Sequence, residues 1–143
     1  MTTTFAAAHQ GLVEGFNNAW LVIRPSWDLE LQTAMPPRAY DRQANVWLKV
    51  MYTDQAMNDV AVNTLRRVDG LLTVDTYSRF DADDFSTFAG VQTLNDDVLT
   101  ALEAMALPAA VDEININKQD LALTPTKYEH SRFAVFVRYN RAA

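Results

Sequence analysis

The amino-acid sequence predicts a single α+β domain over residues 1–143, with a largely antiparallel or mixed sheet flanked by two main helices. Three observations support this prediction. Two long segments repeat apolar residues at helical spacing, and at least four segments alternate apolar and polar residues as strands do. Neighbouring strand segments are mostly separated by short turns, which favours antiparallel pairing. Runs of strands that follow single helices are typical of α+β folds with the helices on one face.

The composition excludes several classes of protein. The chain has 143 residues, of which 49% are hydrophobic and 21% charged, as in one ordinary globular domain. It has no cysteine, so disulfides and thiolate metal sites are excluded. The net charge of −6 opposes stable binding to nucleic-acid phosphates, although DNA can pass an acidic surface without adhering. The sequence shows neither a signal-peptide pattern nor an apolar run of membrane-helix length, so we expect synthesis in a cytoplasm and no membrane contact.

The first element is an amphipathic helix over residues 5–20. Apolar residues recur there every three or four positions, which creates one face for burial. The threonines at 2–4 can cap the first turn, and Arg24-Pro25 ends the helix because a residue before proline disfavours helical dihedrals. The expected buried face consists of Phe5, Ala8, Leu12, Val13, Phe16, Ala19 and Trp20.

Two strands with a loop between them are predicted to follow. Residues 27–33 alternate apolar and polar side chains as a half-buried strand does. Residues 35–43 are expected to form a loop, since Pro36 and Pro37 lack the backbone donor that a position inside a sheet requires. Residues 45–53 are the second strand.

This second strand is apolar on both faces, which suggests that both are covered, either by a helix or by a neighbouring subunit. A strand with one solvated face would alternate more strictly. One face carries Val46, Leu48, Val50 and Tyr52, and the other carries Trp47, Lys49 and Met51.

The next segment is predicted to be less regular before a further strand begins. Residues 54–60 are expected to form a polar connection, and residues 60–67 a weak strand or extended arm. Asp69-Gly70 is a dipeptide typical of tight hairpin turns. Residues 71–80 then alternate as a strand. Its two sides consist of Leu72, Val74, Thr76 and Phe80, and of Leu71, Thr73, Asp75, Tyr77 and Arg79.

The second helix is predicted over residues 84–105, with Pro108 just past its end. Residues 113–124 and 132–140 are predicted strands, and residues 117–120 are expected to form a hairpin turn or a bulge. The expected buried positions of the helix are Phe85, Phe88, Val91, Leu94, Asn95, Val98, Leu99, Leu102 and Met105. Those of the two strands are Ile114, Ile116, Leu121, Leu123, Phe133, Val135, Val137 and Tyr139.

The sequence contains no motif typical of catalysis or of cofactor binding. His9, in the first helix, and His130, in a loop before the last strand, have no second ligand at a metal-binding spacing. The chain has only four glycines and no glycine-rich loop, so no phosphate-binding loop is expected, and the G-x-S-x-G nucleophile motif does not occur. We therefore expect no enzymatic activity, no cofactor and no metal site, and we interpret both histidines as surface or cap residues.

Asp81, Asp83 and Asp84 form the densest acidic cluster. A calcium-binding loop that began at Asp81 would need an oxygen ligand at its fifth position and glutamate at its twelfth, where this chain has Phe85 and Gln92. Aspartates that precede a helix accept hydrogen bonds from backbone N–H groups and interact favourably with the positive end of the helix dipole. Capping is therefore the expected role, and a weak divalent-cation or intersubunit role is the alternative.

Two further groups of residues allow a functional and a structural interpretation. Arg66 and Arg67 could contact phosphate, but in an acidic chain we expect ion pairs to a neighbouring strand or subunit. Several aromatic residues could line a ligand pocket, but their spacing favours a place in the core. These aromatic residues are Trp20, Trp27, Trp47, Tyr40 and Tyr52.

The order of four segments is recognisable. The amphipathic helix "FAAAHQGLVEGFNNAW" comes first, and "GLLTVDTY" at residues 70–77 then matches a G-x-L-x-V-x-x-Y/F strand. The helix "DDFSTFAGVQTLNDDVLTALEAM" follows, and "SRFAVFVRY" at residues 131–139 matches S-R-F-x-V-x-V-x-Y. In this order, over most of the chain, the sequence resembles the gpU-like tail terminator proteins of bacteriophages, which cap the tail tube.

The resemblance implies a structural virion protein without enzymatic activity. Its subunits would form a ring, usually of six, at the head-proximal end of the tail tube, assembled in the host cytoplasm. The ring would stop tube growth and offer a docking surface to a neck or head-completion protein, while DNA passes through the lumen without specific binding. A ring buries different patches of each subunit, so some residues are candidates for the contact between subunits. They are Trp47, Lys49, Met51, Arg66, Arg67, Asp75 and Tyr77.

Two alternatives remain open. Within the same class, the protein would be another head–tail connector, neck or tail-completion protein with the same fold. From a different class, it would be a small α+β enzyme or ligand-binding domain. That alternative needs polar groups in an apolar pocket between helix and sheet, for which Trp47, Asp75 and Tyr77 are the candidates.

Overall fold

The structure is a computed structural model that describes residues 2–25, 38–41, 46–61, 65–79, 85–121 and 128–142. These residues form one compact α+β unit, which confirms the predicted fold class. The helices are α1 (Phe5–Ile23) and α2 (Phe85–Ala104). The strands are β1 (Arg38–Asp41), β2 (Val46–Ala61), β3 (Leu65–Arg79), β4 (Val111–Leu121) and β5 (Tyr128–Ala142).

The five strands form one sheet in the order β1-β2-β3-β5-β4, and every neighbouring pair is antiparallel. β2 pairs with β3 and β4 with β5, so the sheet consists of two strand pairs side by side, with β1 added at one edge. In sequence, α2 lies between the two pairs. Since β3 and β5 are central, most of their backbone hydrogen bonds lie inside the sheet.

Helix α1 has the ends that the sequence predicts. The Thr4 hydroxyl accepts a hydrogen bond from the Ala7 N–H at 3.1 Å, and the last turn closes with the Arg24 N–H donating to the Trp20 carbonyl. The predicted apolar face is buried at Leu12, Phe16 and Trp20 among others. The exception is Phe5 in the first turn, which stays 39% exposed, with the Arg141 guanidinium 4.3 Å from the centroid of its ring.

Both helices pack on one face of the sheet, and the core lies between the two layers. Helix α2 buries the predicted positions from Leu94 to Met105, apart from Leu99, which is 37% exposed and therefore contradicts the prediction for it. Gly15 allows α1 to approach the chain after α2, since a Cβ there would lie 2.5 Å from the Ala106 carbonyl oxygen. On the sheet side the core contains Leu48, Val50, Tyr52, Val68, Leu72, Val74, Phe133, Val135, Val137 and Tyr139.

The prediction of a loop over residues 35–43 is wrong for β1. Arg38–Asp41 pairs with β2 in antiparallel register, so that Arg38 lies opposite Lys49 and Tyr40 opposite Trp47. β1 is the outermost strand, so only the edge that faces β2 needs backbone hydrogen bonds. Edge strands are also the positions in a sheet where proline is accepted.

The predicted polar connection over residues 54–60 is also wrong, because β2 continues to Ala61. Its register with β3 shifts between Asp54 and Ala56 and again between Asp59 and Ala61. Asp69 and Gly70 do not form the predicted turn but lie within β3. Glycine is required at that position for a different reason, since a Cβ on Gly70 would collide with the Tyr52 hydroxyl.

Two predictions about the C-terminal strands need correction. Residues 117–120 form neither a hairpin turn nor a bulge but continue β4, whose register shift lies between Val111 and Glu113. His130 is not in a loop, because β5 begins at Tyr128. The alternation predicted for the last strand is confirmed, with four residues buried on one face, Phe133, Val135, Val137 and Tyr139.

Some predictions lie outside the described residues. They concern the strand over residues 27–33, Leu123, and the capping role of Asp81, Asp83 and Asp84.

Candidate functional site

The two faces of the sheet have different surroundings. Thr76 of β3 faces the helices, since its hydroxyl donates a hydrogen bond to the side-chain amide oxygen of Asn95 in α2. Side chains alternate along a strand, so Asp75 and Tyr77 lie on the opposite surface. We call that surface the open face. In the described residues of β2 to β5 it includes Lys49, Met51, Thr53, Asp69, Leu71, Thr73, Asp75, Tyr77, Glu113, Asn115, Asn117, Gln119, His130, Arg132, Ala134, Phe136 and Arg138.

A buried carboxylate lies near the centre of this open face. Asp75 is only 1% exposed, although no described helix covers it. Arg132 lies opposite Asp75 on β5 and binds it with a fork of two hydrogen bonds, from Nε at 2.7 Å and from Nη2 at 3.2 Å. Lys49 lies opposite Asp75 on β2, with its Nζ 4.0 Å from Oδ2. The hydrogen bond to Asp75 raises the pKa of Arg132, so the guanidinium stays charged.

An aromatic pair shields this ion cluster on one side. Tyr77 and His130 lie opposite each other on β3 and β5, and their rings stack with centroids 4.3 Å apart. Nε2 of His130 lies 3.3 Å from Oδ1 of Asp75, and Nζ of Lys49 lies 5.7 Å from the centroid of the Tyr77 ring. These contacts exclude water from the Asp75 carboxylate, which explains its burial on a face without a covering helix.

A second ion cluster lies further along the same strands on the open face. Arg138 donates to Asp69 at 2.8 Å and to Glu113 at 3.2 Å, and the hydrogen bond to Asp69 raises the pKa of Arg138. A shallow groove of about 300 Å³ runs beside it, lined among others by Gly70 and Phe136. The carboxylates of these two clusters are thus each paired with a cation, namely Asp69, Asp75 and Glu113.

Apolar side chains stay exposed between the two clusters. Met51 is 45% exposed and Phe136 is 48% exposed, and half-buried Leu71 and Ala134 lie near them. The sequence predicted a cover for Met51 and its neighbours. Within the described residues, neither helix provides that cover.

The structure brings some of the predicted interface residues together and separates others. Lys49, Asp75 and Tyr77 belong to one cluster, and Met51 lies beside it. Trp47 lies opposite Tyr77 by strand register. Two of the seven lie elsewhere.

Those two are Arg66 and Arg67, at the start of β3. Arg66 lies opposite Asp59 of β2, as the predicted ion pair to a neighbouring strand requires. Arg67 lies opposite Asn58 and Asn140, so no acidic residue stands directly across from it on either strand.

A third cluster, which the sequence did not predict, connects α1 to the sheet. Asp54 of β2 accepts hydrogen bonds from the Tyr52 and Tyr139 hydroxyls, each at 3.0 Å, and its other oxygen lies 2.8 Å from Nε2 of His9. Burial, followed by the bond to Asp54, raises the pKa of both tyrosines above the usual range. His9 was interpreted as a surface or cap residue, and the structure shows instead that it joins α1 to β2.

The alternative of a pocket between helix and sheet does not fit this geometry. Asp75 and Tyr77 lie on the side of the sheet away from the helices, so they cannot line a pocket beneath them. Within the described residues, no group of three histidine or acidic side chains could hold a metal ion. In the same part of the chain, neither helix has the length and apolar character that crossing a membrane requires.

Comparisons with known proteins do not identify a relative. No protein-family model matches the chain, and the search of curated proteins finds no match either.

Proposed function

We propose that this protein is a structural component of a bacteriophage tail. In this proposal it is a tail terminator, whose copies assemble into a hexameric ring on the head-proximal end of the tail tube. The ring stops polymerisation of the tube protein and presents the attachment surface for a neck or head-completion protein. The sequence resemblance is the source of this assignment, and the open face is the structural observation that supports it.

The open face supports a role in assembly because it combines exposed Met51 and Phe136 with charges that are already paired. An unpaired charge would have to lose its hydration on contact with another protein, whereas a paired charge loses much less. A sheet face with exposed apolar residues and paired charges is therefore suited to burial by a protein partner.

The net charge of −6 supports the passage of DNA through such a ring. Acidic residues near the lumen would repel the phosphates, so that DNA moves past without adhering. The same charge gives no support to stable nucleic-acid binding.

The test is a polymerisation experiment with purified tail tube protein. Tubes should become shorter and end in a cap when this protein is present, and an acidic protein of similar size should leave their length unchanged. Native mass measurement and negative-stain images should show a ring with a central hole. Unchanged tube length would contradict the terminator function, and a strictly monomeric protein at high concentration would contradict ring formation.

Another head–tail connector, neck or tail-completion protein is the alternative within the same class. Such a protein would bind finished tails or heads without changing the length of growing tubes. A small enzyme or ligand-binding domain is the alternative from another class. The cluster of Asp54, His9 and two tyrosines is the feature that favours it, and a large, specific stabilisation by a metabolite in a thermal-shift screen would support it.

A further inference from the structure

We propose that the outer surface of α2 in one copy docks on the open face of a second copy. This proposal rests on the ring formation described above and names the two surfaces that join. α2 and the open face lie on opposite sides of the two-layer fold, so a contact between them joins copies head to tail. Repetition of a head-to-tail contact produces a closed ring when the rotation between subunits closes.

The outer surface of α2 carries an exposed stripe of acidic and apolar residues. Asp96 and Glu103 are exposed, and Leu99 lies between them with 37% of its surface exposed. The three residues are spaced three and four positions apart, so they share one side of the helix. We call Asp96, Leu99 and Glu103 the α2 stripe.

The open face carries the complementary charges at a matching distance. Lys49, Asp75 and Arg132 form one row across three adjacent strands. Two strand spacings separate the backbones of Lys49 and Arg132 by roughly 10 Å. The seven steps from Asp96 to Glu103 span about the same distance along a helix, roughly 10 Å. An α2 helix that crosses the strands therefore brings two acids to two cations.

Both cations can accept a further partner. Arg132 is 40% exposed and Lys49 is 29% exposed, although each already contacts Asp75. The row of Lys49, Asp75 and Arg132 has one more cation than anion, so an approaching acidic helix is attracted. Met51, two residues beyond Lys49 along β2, offers an exposed apolar contact for Leu99.

The size of the open face fits a contact between proteins. Four strands at about 4.8 Å spacing and 11 residues at about 3.3 Å give a surface of roughly 700 Å². A standard protein–protein interface buries about 800 Å² on each partner. The helices are also the acidic part of the chain, with four acidic residues and no lysine or arginine. A second copy of this chain thus brings acidic side chains, which the row of Lys49, Asp75 and Arg132 attracts.

The absence of cysteine allows a direct cross-linking test. Met51→Cys and Leu99→Cys are prepared as separate single variants, mixed, and treated with a short thiol-specific cross-linker. We expect a covalent dimer in the mixture of the two, at several times the yield from either variant alone. Val22→Cys is the control partner for Met51→Cys, because Val22 is 82% exposed but lies on α1. Equal yields with Val22→Cys and Leu99→Cys would overturn the proposal.

A charge reversal tests the same contact without cross-linking. Glu103→Lys should weaken self-association by about tenfold or more, since it places a cation against Lys49 or Arg132. Glu14→Lys is the matched control, because Glu14 is an exposed acid on α1 and its reversal changes the net charge equally. Circular dichroism verifies that both variants fold. Equal association of both variants would contradict the docking of α2.

The outcomes separate this proposal from the terminator function. A wild-type protein that never associates contradicts both. Association that depends on Glu14 but not on Glu103 contradicts the docking of α2 alone. The expected cross-links and charge dependence would support the contact between α2 and the open face. If tube length were unchanged in the same protein, only the terminator function would be contradicted.

Discussion

Asp75 shows how one residue can stabilise a surface that no helix covers. Its carboxylate is nearly inaccessible, while its cationic partners Arg132 and Lys49 remain partly in solvent. Removal of the anion and removal of a cation should therefore have different consequences for this ion cluster. Loss of the arginine leaves a buried anion with weaker compensation, whereas loss of the aspartate leaves cations that water can solvate.

This asymmetry leads to a prediction about two substitutions. Arg132→Gln should lower the free energy of unfolding by about 3–5 kcal/mol, as the removal of one partner of a buried ion pair does. Asp75→Asn should cost less, about 1–3 kcal/mol, because it removes charged hydrogen bonds but leaves no buried charge. Urea denaturation of both variants measures the difference. Arg138→Gln, in the exposed ion cluster, should have the smallest effect of the three, and a larger cost for Asp75→Asn than for Arg132→Gln would contradict the argument.

Tyr52 and Tyr139 determine how the fold responds to alkaline pH. Their pKa values are raised in the folded protein, by burial first and then by the hydrogen bond to Asp54. A raised folded pKa means that the stabilisation is complete below the unfolded pKa of about 10. Above that pH the unfolded chain loses these protons more readily than the folded one, so the stabilisation declines.

We therefore expect the free energy of unfolding to fall steeply above about pH 10, by up to about 1.4 kcal/mol per pH unit for each of the two tyrosines. Tyr52→Phe should lower stability near neutral pH by about 1 kcal/mol, through the lost hydrogen bond, and should also reduce the alkaline slope. Urea denaturation at a series of pH values measures both quantities. An alkaline slope that is the same in wild type and Tyr52→Phe would refute this role of the hydroxyl.

At the scale of elements, the helices and the last strand could be predicted because their burial is one-sided. In α1 and β5 the apolar residues repeat at the helical and the strand period, and each pattern has a single structural interpretation. The N-terminal half of β2 was predicted as well, although its sequence is apolar on both faces. These elements carry most of the core, so the fold class follows from them.

The C-terminal half of β2 could not be predicted, since residues 54–61 contain few apolar residues in regular alternation. They are a strand because β3 supplies hydrogen-bond partners for their backbone, and this pairing is a tertiary effect. The role of Gly70 also depends on tertiary structure. Its local sequence favours a turn, but the close approach of Tyr52 explains the glycine within β3.

The candidate site could be predicted only in part. Lys49, Asp75 and Tyr77 were recognisable because polar and aromatic residues alternate with core residues along β2 and β3. His130 and Arg132 were not, because they join the site through the register of β3 and β5. Asp75 and Arg132 are 57 residues apart in sequence, and no local pattern encodes which residues of two distant strands lie opposite each other.

At the scale of the whole molecule, charge is divided between the two layers. The helices carry only acidic charges, while the carboxylates described on the open face are paired with arginine or lysine. The two layers nevertheless depend on each other for burial. Phe16 and Trp20 of α1 are fully buried, and the chain before α1 reaches the sheet, since the Thr3 N–H donates to the Asn140 carbonyl.

Because the layers share one core, we expect the molecule to unfold in a single cooperative transition. Phe16→Ala should lower the free energy of unfolding by about 3–5 kcal/mol, through lost burial and the cavity left behind. That is a large part of the total of about 5–15 kcal/mol typical of a domain. Far-UV circular dichroism and tryptophan fluorescence should report the same lowered midpoint in urea, since α1 cannot separate without exposing the sheet. Val22→Ala, at the most exposed apolar position described in α1, should leave both curves within about 0.5 kcal/mol of wild type. A fluorescence transition that precedes the loss of secondary structure would show that α1 detaches independently and that the layers do not form one cooperative unit.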